Sequence, residues 1–422
     1  MMVLTHFRFG LKTVPMGIAA LALLLVSNQS RAADSDWPGF HGLQQAGVVA
    51  DGQLPNQWSD GDYRWRFDLQ TRDVGSMAVQ GQNVYLLATS PKAPTIRLIS
   101  IDLQSGQQRW AREFPNAPNH LHSRNTLASS TPAVDQDHVY VAHGDRDHTW
   151  VRCLDHEGNE IWSRDFGTMQ SQHGFGTSPV VYEDLLLFNF SQQSDQVKSG
   201  QPGSSRVLAL DRSTGKTVWE TPVTSTRVCY GKPYVHDGKV ICANTGDGLY
   251  ALSLEDGKML WRLPVFTMRC VSSPIVVGDL AIGTSGSGGG GNHLVAVRMP
   301  KSSDDQPQEV YRIERAAPYV PTSVVQGQLM FVIDDKGVAS CVDVTTGKVH
   351  WTKRIGGNYG ASPILVGDKV LLISLEGEAT LLKASSEFEK LGSVDLGGPV
   401  GATPAYAHGH LLIRIGTELV CL

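Results

Sequence analysis

The sequence predicts an all-β fold: an eight-bladed β-propeller of four-stranded blades, closed by an N-terminal strand. Three observations predict it. A segment of roughly 40 residues recurs eight times; a glycine turn followed by tryptophan ends most copies; and the last copy is one strand short.

The repeats are clearest at their starts. Thr131-Pro132-Ala133-Val134, Ser178-Pro179-Val180-Val181, Lys232-Pro233-Tyr234-Val235, Ser273-Pro274-Ile275-Val276, Ser362-Pro363-Ile364-Leu365 and Thr403-Pro404-Ala405-Tyr406 share one pattern, with Ser76-Met77-Ala78-Val79 and Thr322-Ser323-Val324-Val325 as degenerate copies. The register positions 77, 132, 179, 233, 274, 323, 363 and 404 lie 55, 47, 54, 41, 49, 40 and 41 residues apart. A second pattern ends most copies. Thr214-Gly215-Lys216 leads to Trp219, Asp256-Gly257-Lys258 to Trp261 and Thr346-Gly347-Lys348 to Trp351; Ser105-Gly106 leads to Trp110 and Glu157-Gly158 to Trp162. Each reads as strand, glycine-centred hairpin, strand, with glycine supplying the left-handed turn residue. The tryptophan falls on the outer strand, where it can pack between neighbouring blades.

Each copy therefore supplies four short strands, which bury both faces only when stacked in a ring. The final copy ends at Cys421-Leu422 after three strands. The missing outer strand is expected at 63–69, where Trp65 matches the blade-closing tryptophan. Such closure removes the free sheet edges.

The chain has 422 residues, 44 of them glycine. Its first 33 residues read as a secretory signal, with Arg8 and Lys12 ahead of a 13-residue apolar run at 14–26 and Ser30 and Ala32 at small-residue spacing. The run is short for a bilayer span, so an uncleaved anchor is the lesser alternative. Residues 34–62 are read as an N-terminal extension and 63–422 as one propeller. Without residues 1–33 the charged residues are 33 basic and 41 acidic, a net of −8. That balance argues against a nucleic-acid partner.

The glycine–tryptophan signature resembles the repeat of PQQ-dependent alcohol dehydrogenases. It is also similar to that of the outer-membrane-barrel assembly lipoprotein, an eight-bladed ring without cofactor. The likeness to this PQQ-like (quinoprotein-type) β-propeller repeat family covers about residues 60–422. A further stretch, Asp36-Trp37-Pro38-Gly39-Phe40-His41-Gly42 with Leu54-Pro55-Asn56-Gln57-Trp58, resembles the opening of exported PQQ-like repeat proteins of planctomycete-type bacteria, with His41 in place of the usual arginine.

For chemistry the sequence offers little, and no catalytic residues or metal ligands are assigned. The dehydrogenases usually carry adjacent cysteines beside the quinone, and this chain has none. Asp145-Arg146-Asp147-His148 lacks a turn glycine and a second ligand segment, and the glycine run at 286–291 is not followed by Lys-Ser/Thr. Cys153, Cys341 and Cys421 share the repeat slot that holds Ala209 and Ala251, a packing position. Cys229 and Cys270 stand four residues before the prolines of blades four and five and could pair in an oxidising compartment, provided their Cα atoms approach within about 7 Å. The blade-to-blade and second-to-third-strand loops share one face. There His122, Arg124, His173, Arg227, Arg269 and Tyr359, with Asn119, His120 and Asn125 nearby, are the candidate ligand-binding residues, suited to an anionic or hydroxyl-rich partner; ordinary solvated loop polarity is the competing reading.

The expected function is a non-catalytic binding or assembly scaffold in the cell envelope, periplasmic or secreted. It would be monomeric, without cofactor, and would meet a protein or glycan on the loop face. The alternative is a PQQ-dependent oxidoreductase of alcohol or sugar dehydrogenase type, using PQQ and calcium. A hydrolase or lyase using the His/Arg channel comes third.

Overall fold

The computed structural model describes Met1 and residues 36–117, 120–197 and 200–422. The expected signal falls outside these residues apart from Met1, as does Asn119. Among the described residues the only helical elements are two three-residue 3-10 turns, Leu43–Gln45 and Asp60–Asp62. No helix there is long and apolar enough to cross a membrane.

Eight antiparallel sheets form the ring. In seven blades the inner strand begins one residue after the register position, as in Tyr234–His236 and Ala405–Ala407; in blade one it begins at Met77 itself. The middle strands are buried on both faces because each blade is covered on both sides. Asn83–Thr89 and Leu280–Ser285 accordingly read as nearly continuous apolar runs. The outer strands show only one face to a neighbour, and Thr217–Pro222 buries only Trp219 fully.

Closure occurs as expected, slightly narrower than the sequence span. Trp65–Asp68 pairs antiparallel with Glu418–Cys421, from Trp65 opposite Cys421 to Asp68 opposite Glu418. A buried ion pair locks the same seam: Arg414 Nη2 lies 3.0 Å from Asp73 Oδ2, with both side chains out of solvent. Arg414 also donates to the Gly75 and Leu87 carbonyls, and Asp73 accepts from the Thr71 and Thr89 hydroxyls and the Thr89 N–H.

The signature tryptophans join the blades directionally. Five of the six indole N–H groups donate to a backbone carbonyl of the next blade: Trp65 to Leu103 at 2.8 Å, Trp110 to His156 at 2.7 Å, Trp162 to Arg212 at 3.0 Å, Trp219 to Leu254 at 2.9 Å and Trp351 to Ser385 at 3.1 Å, Trp261 being the exception. Tyr311 does the same through its hydroxyl to Val344 at 2.8 Å. The ring plane lies on the next blade's turn glycine. A Cβ on Gly215 would stand 2.6 Å from Trp162, and one on Gly257 2.5 Å from Trp219. Glycine thus serves both the positive φ and the neighbour's indole. Opposite the aromatic stands a small residue, Cys153, Ala209, Ala251, Cys341 or Cys421, which explains the slot those cysteines share.

The Ser/Thr of the repeat starts forms an inner belt. The backbone N–H of one blade donates to the hydroxyl of the next, Thr131 to Ser178 at 2.9 Å, Ser273 to Thr322 at 3.0 Å, Thr322 to Ser362 at 2.9 Å and Ser362 to Thr403 at 2.9 Å.

Two outcomes test this account by denaturant unfolding. Trp219→Ala empties a buried aromatic site and should cost about 3–5 kcal/mol, whereas Trp219→Phe should cost about 1 kcal/mol, the worth of its hydrogen bond. Trp261 has a buried indole N–H without a partner, so Trp261→Phe should cost less than Trp219→Phe. Arg414→Leu strands the Asp73 carboxylate and should cost about 3–5 kcal/mol; a loss under about 1 kcal/mol would show that the closing seam does not depend on the pair.

Candidate functional site

Residues 37–49 lie against the inner strands of blades one, two, four and seven around the axis of the ring. The Asp36 carboxylate accepts the Gly81 N–H at 2.8 Å and lies 2.7 Å from His408 Nε2, which fixes the segment to the inner hairpins of blades one and eight. Trp37 exchanges two backbone hydrogen bonds with Val79 of blade one, and the Pro38 carbonyl accepts from Val134 of blade two. The chain then reverses through His41, Gly42, Gln45 and Gly47, all at positive φ near +65°. A Cβ on Gly42 would meet the Trp37 ring at 2.5 Å, so glycine lets that indole fold back under the turn. On the return, Val48–Val49 adds a parallel strand to the inner edge of blade seven. Tyr406 of blade eight brackets Gln53 through its hydroxyl, donating to the carbonyl and accepting the N–H. The segment leaves over blade seven, where Gly392 occupies the closing-aromatic position. A Cβ there would lie 1.8 Å from the Asn56 carbonyl, and buried Trp58 joins the core alongside. The Asp36–Gly42 motif is therefore a plug, and residues 35–422 form one compact unit.

The plug meets one departure from the repeat. Seven blades carry Ser or Thr ahead of the inner strand; blade four carries Lys232. Its backbone N–H still donates to Ser273, but it offers no hydroxyl to the belt. The side chain is 3% exposed, its ammonium lies 5.9 Å from the centre of the Phe40 ring, and no carboxylate pairs with it among the described residues. Burial holds its basicity well below the ordinary lysine range. His41, whose Nε2 lies 3.0 Å from the Pro363 carbonyl, is pushed down to about 3, by burial first and then by the Lys232 charge.

At the opposite mouth the loop face assembles part of the expected cluster. The His122 and His173 rings meet edge to face with centroids 4.8 Å apart. His173 is lowered to about 4 by burial, then by the charges of Arg269, His122 and His120, which places those four groups together. Arg124 is exposed and reaches Asp335 of blade six at 3.7 Å. A cleft of ≈ 220 Å³ lies between Arg124, Asp335, Asn358, Glu314 and the glycine loop at Ser287–Asn292. Asp335 was not expected here. Its carboxylate accepts the Tyr319 N–H at 2.7 Å, yet burial still raises its pKa.

Two expected residues are placed otherwise. Tyr359 is 1% exposed and packs in the core between blades six and seven, so it lines no mouth. Arg269 is buried and its Nε donates to the Val228 carbonyl at 3.1 Å, a strap between blades four and five. Arg227 stands half-buried on the neighbouring loop. Asp145 uses its carboxylate to order its own loop, accepting from the Ala117, Asp147 and His148 N–H groups. Among the described residues one group has metal-ligand spacing, Asp135, Asp137 and His138. Arg212 already lies 2.7 and 3.4 Å from its two acids.

Lys232→Thr restores the belt residue and removes a buried amine, and should raise stability by about 1–2 kcal/mol. The lysine's folded-state pKa lies below its unfolded value, so the folded state binds fewer protons than the unfolded state between the two. The gain should be full below the folded value and should fade as pH climbs toward 10.5. Unfolding curves across that range check it; a destabilised variant would mean that Lys232 has a partner it needs.

The sequence matches the family model described as outer membrane protein assembly factor BamB over residues 49–147 and 147–387. It is 25% identical over 217 residues to the BamB of Yersinia pestis, covering 49% of this chain and 52% of that protein. It is 23% identical over 256 residues to the BamB of Alteromonas naphthalenivorans, covering 59% of each. The chain thus spans little more than half the length of the curated relatives it matches. Among solved structures, a europium-containing methanol dehydrogenase superposes with a TM-score of 0.64 at 13% identity, covering 91% of this chain and 90% of that one. BamB from Moraxella catarrhalis superposes with a TM-score of 0.58 at 14% identity, covering 85% and 95%. These two likenesses show the fold alone. With most of its length matched, the chain belongs to the BamB-described family of PQQ-like repeat propellers.

Proposed function

We propose that the protein is an extracytoplasmic, non-catalytic scaffold that receives a protein partner on its loop face. The observation that carries this reading is the plug. Trp37, Phe40 and His41 reach Val79 of blade one, Lys232 of blade four and Pro363 of blade seven, so protein stands where a cofactor among the inner strands would need room. The residues present also do not fit PQQ with calcium. The sequence has no adjacent cysteines, and the acids nearest to a metal geometry, Asp135 and Asp137, are held by Arg212. Family membership supports the same reading, since the curated relatives are named as assembly factors. The signal-like residues 1–33 support export.

The partner surface is the cleft beside Arg124. Its mixed charges suit a polypeptide, whose backbone and side chains can meet both signs, and the open mouth accepts a loop or strand. Capture from envelope extracts with cross-linking, followed by identification of the linked peptides, tests this directly. Linked peptides should map to the Arg124 and Ser287–Asn292 loops. Uptake of PQQ with calcium, with dye reduction by alcohols or sugars, would overturn the scaffold reading.

The two arginines should separate. Arg124→Ala should weaken partner capture roughly tenfold with a larger effect at low salt, and should leave melting nearly unchanged. Arg269→Ala should instead lower stability by about 1–3 kcal/mol, because it strips a buried carbonyl of its donor. Binding and melting of both variants at two salt concentrations make the comparison.

A further inference from the structure

The seam between blades four and five carries two thiols that the scaffold reading does not use. Cys229 and Cys270 occupy equivalent points of successive loops, and both are fully buried. Equivalent points on neighbouring blades need not come close enough for a disulfide. Here the loops run side by side. The Tyr230 N–H donates to the Cys270 carbonyl at 2.9 Å, a spacing that sets the two chains about 5 Å apart, as in a strand pair. The Cys270 N–H reaches Cys229 Sγ at 3.3 Å, and Arg269 Nε on the Val228 carbonyl ties the same loops one residue earlier.

The two sulfurs are not equivalent. Cys229 Sγ receives the Cys270 N–H; it lies 3.5 Å from the Thr245 hydroxyl, which donates to the Met268 carbonyl at 2.9 Å, and 3.8 Å from the Ser225 hydroxyl, which donates to the Arg227 carbonyl at 2.7 Å. Burial pushes the Cys229 thiol up, and hydrogen bonding, led by Cys270, opposes it and brings the group down to about 6. Burial pushes Cys270 up, and the neighbouring Cys229 adds to it. Cys229 is the sulfur of the two whose thiolate this seam favours.

We propose that Cys229 and Cys270 form a reversible disulfide that staples blade four to blade five beneath the loop face. The Cys229 thiolate attacks the disulfide of an exchange partner, forms a mixed disulfide and releases one partner sulfur as thiolate, which takes the Cys270 proton. The Cys270 thiolate then attacks the Cys229 sulfur and releases the second partner sulfur. Two protein thiols lose two electrons, and one partner disulfide becomes two thiols. Arg227 and Arg269 lie within two residues of the pair, so its state sets how firmly those loops are held.

The staple depends on the extracytoplasmic reading only for its oxidant, and the test keeps the two apart. The full chain is refolded from denaturant in graded mixtures of reduced and oxidised glutathione, quenched with an alkylating reagent and mapped by mass spectrometry. The expected result is a Cys229–Cys270 linked peptide whose fraction follows the ratio, while Cys153, Cys242, Cys341 and Cys421 stay alkylated. Cys229 and Cys270 alkylated at every ratio would overturn the pairing. A pair that oxidises in glutathione but is recovered reduced from cells would overturn the extracytoplasmic reading and leave the pairing intact.

Discussion

A blade of four strands has two apolar faces and can cover neither of them itself, so every blade depends on having a neighbour on each side. The requirement is met all the way round only if the last blade is whole. In this chain that blade is assembled from both ends, with Trp65–Asp68 laid against Glu418–Cys421. The tryptophan interlock is directional, each bonded indole reaching forward to the next blade, so Trp65 on the borrowed strand is also the residue that joins blade eight to blade one. The buried Arg414–Asp73 pair sits at the same seam. Buried ion pairs add little net stability as a rule, but they penalise wrong arrangements heavily, and this is the seam where a wrong arrangement would leave the ring open.

The repeat also gives a standard against which departures can be judged. Where a blade follows the pattern, local preference, packing and hydrogen bonding agree. Two departures bracket the N-terminal segment. Gly392 gives up a closing aromatic, and the carbonyl of Asn56 lies where that side chain would start. Lys232 gives up a belt hydroxyl and stands over Phe40. The first is repaid in packing by Leu54 and Trp58. The second buries an amine beside a histidine, with no acid to offset it among the described residues.

Much of this was legible beforehand. Gly215, Gly257 and Gly347 with their tryptophans state strand, turn and blade contact in a few residues, and the count of eight followed from the recurring Ser/Thr-Pro starts. The closing strand could be read because Trp65 has five sisters. The plug could not, because residues 36–56 repeat nothing else in the chain and their contacts are with strands hundreds of residues away; Gln53 and Tyr406 are 353 apart. Loop placement was legible and side-chain direction was not. Arg124 and Arg269 have the same chemistry on similar loops, yet one is exposed and the other ties two backbones together. Tyr359 fails for the same reason: an aromatic on a connecting loop turns inward wherever a gap between blades will take it. Lys232 was visible as the odd member of the Ser/Thr-Pro set, but its meaning required knowing that the set faces the axis.

The shared last blade also imposes an order on how the molecule can come into being. Residues 65–68 are made and delivered early, whereas their partners at 418–421 arrive much later. Until then seven blades stand in a row with two uncovered faces, and the plug has inner strands to lie on from only part of the circle. Contacts of such long range cannot form progressively; they wait until both strands are present and then form together. The interval before that moment is when the apolar blade faces are open to other chains. For this architecture the exposure lasts as long as the chain takes to appear, however stable the finished ring is.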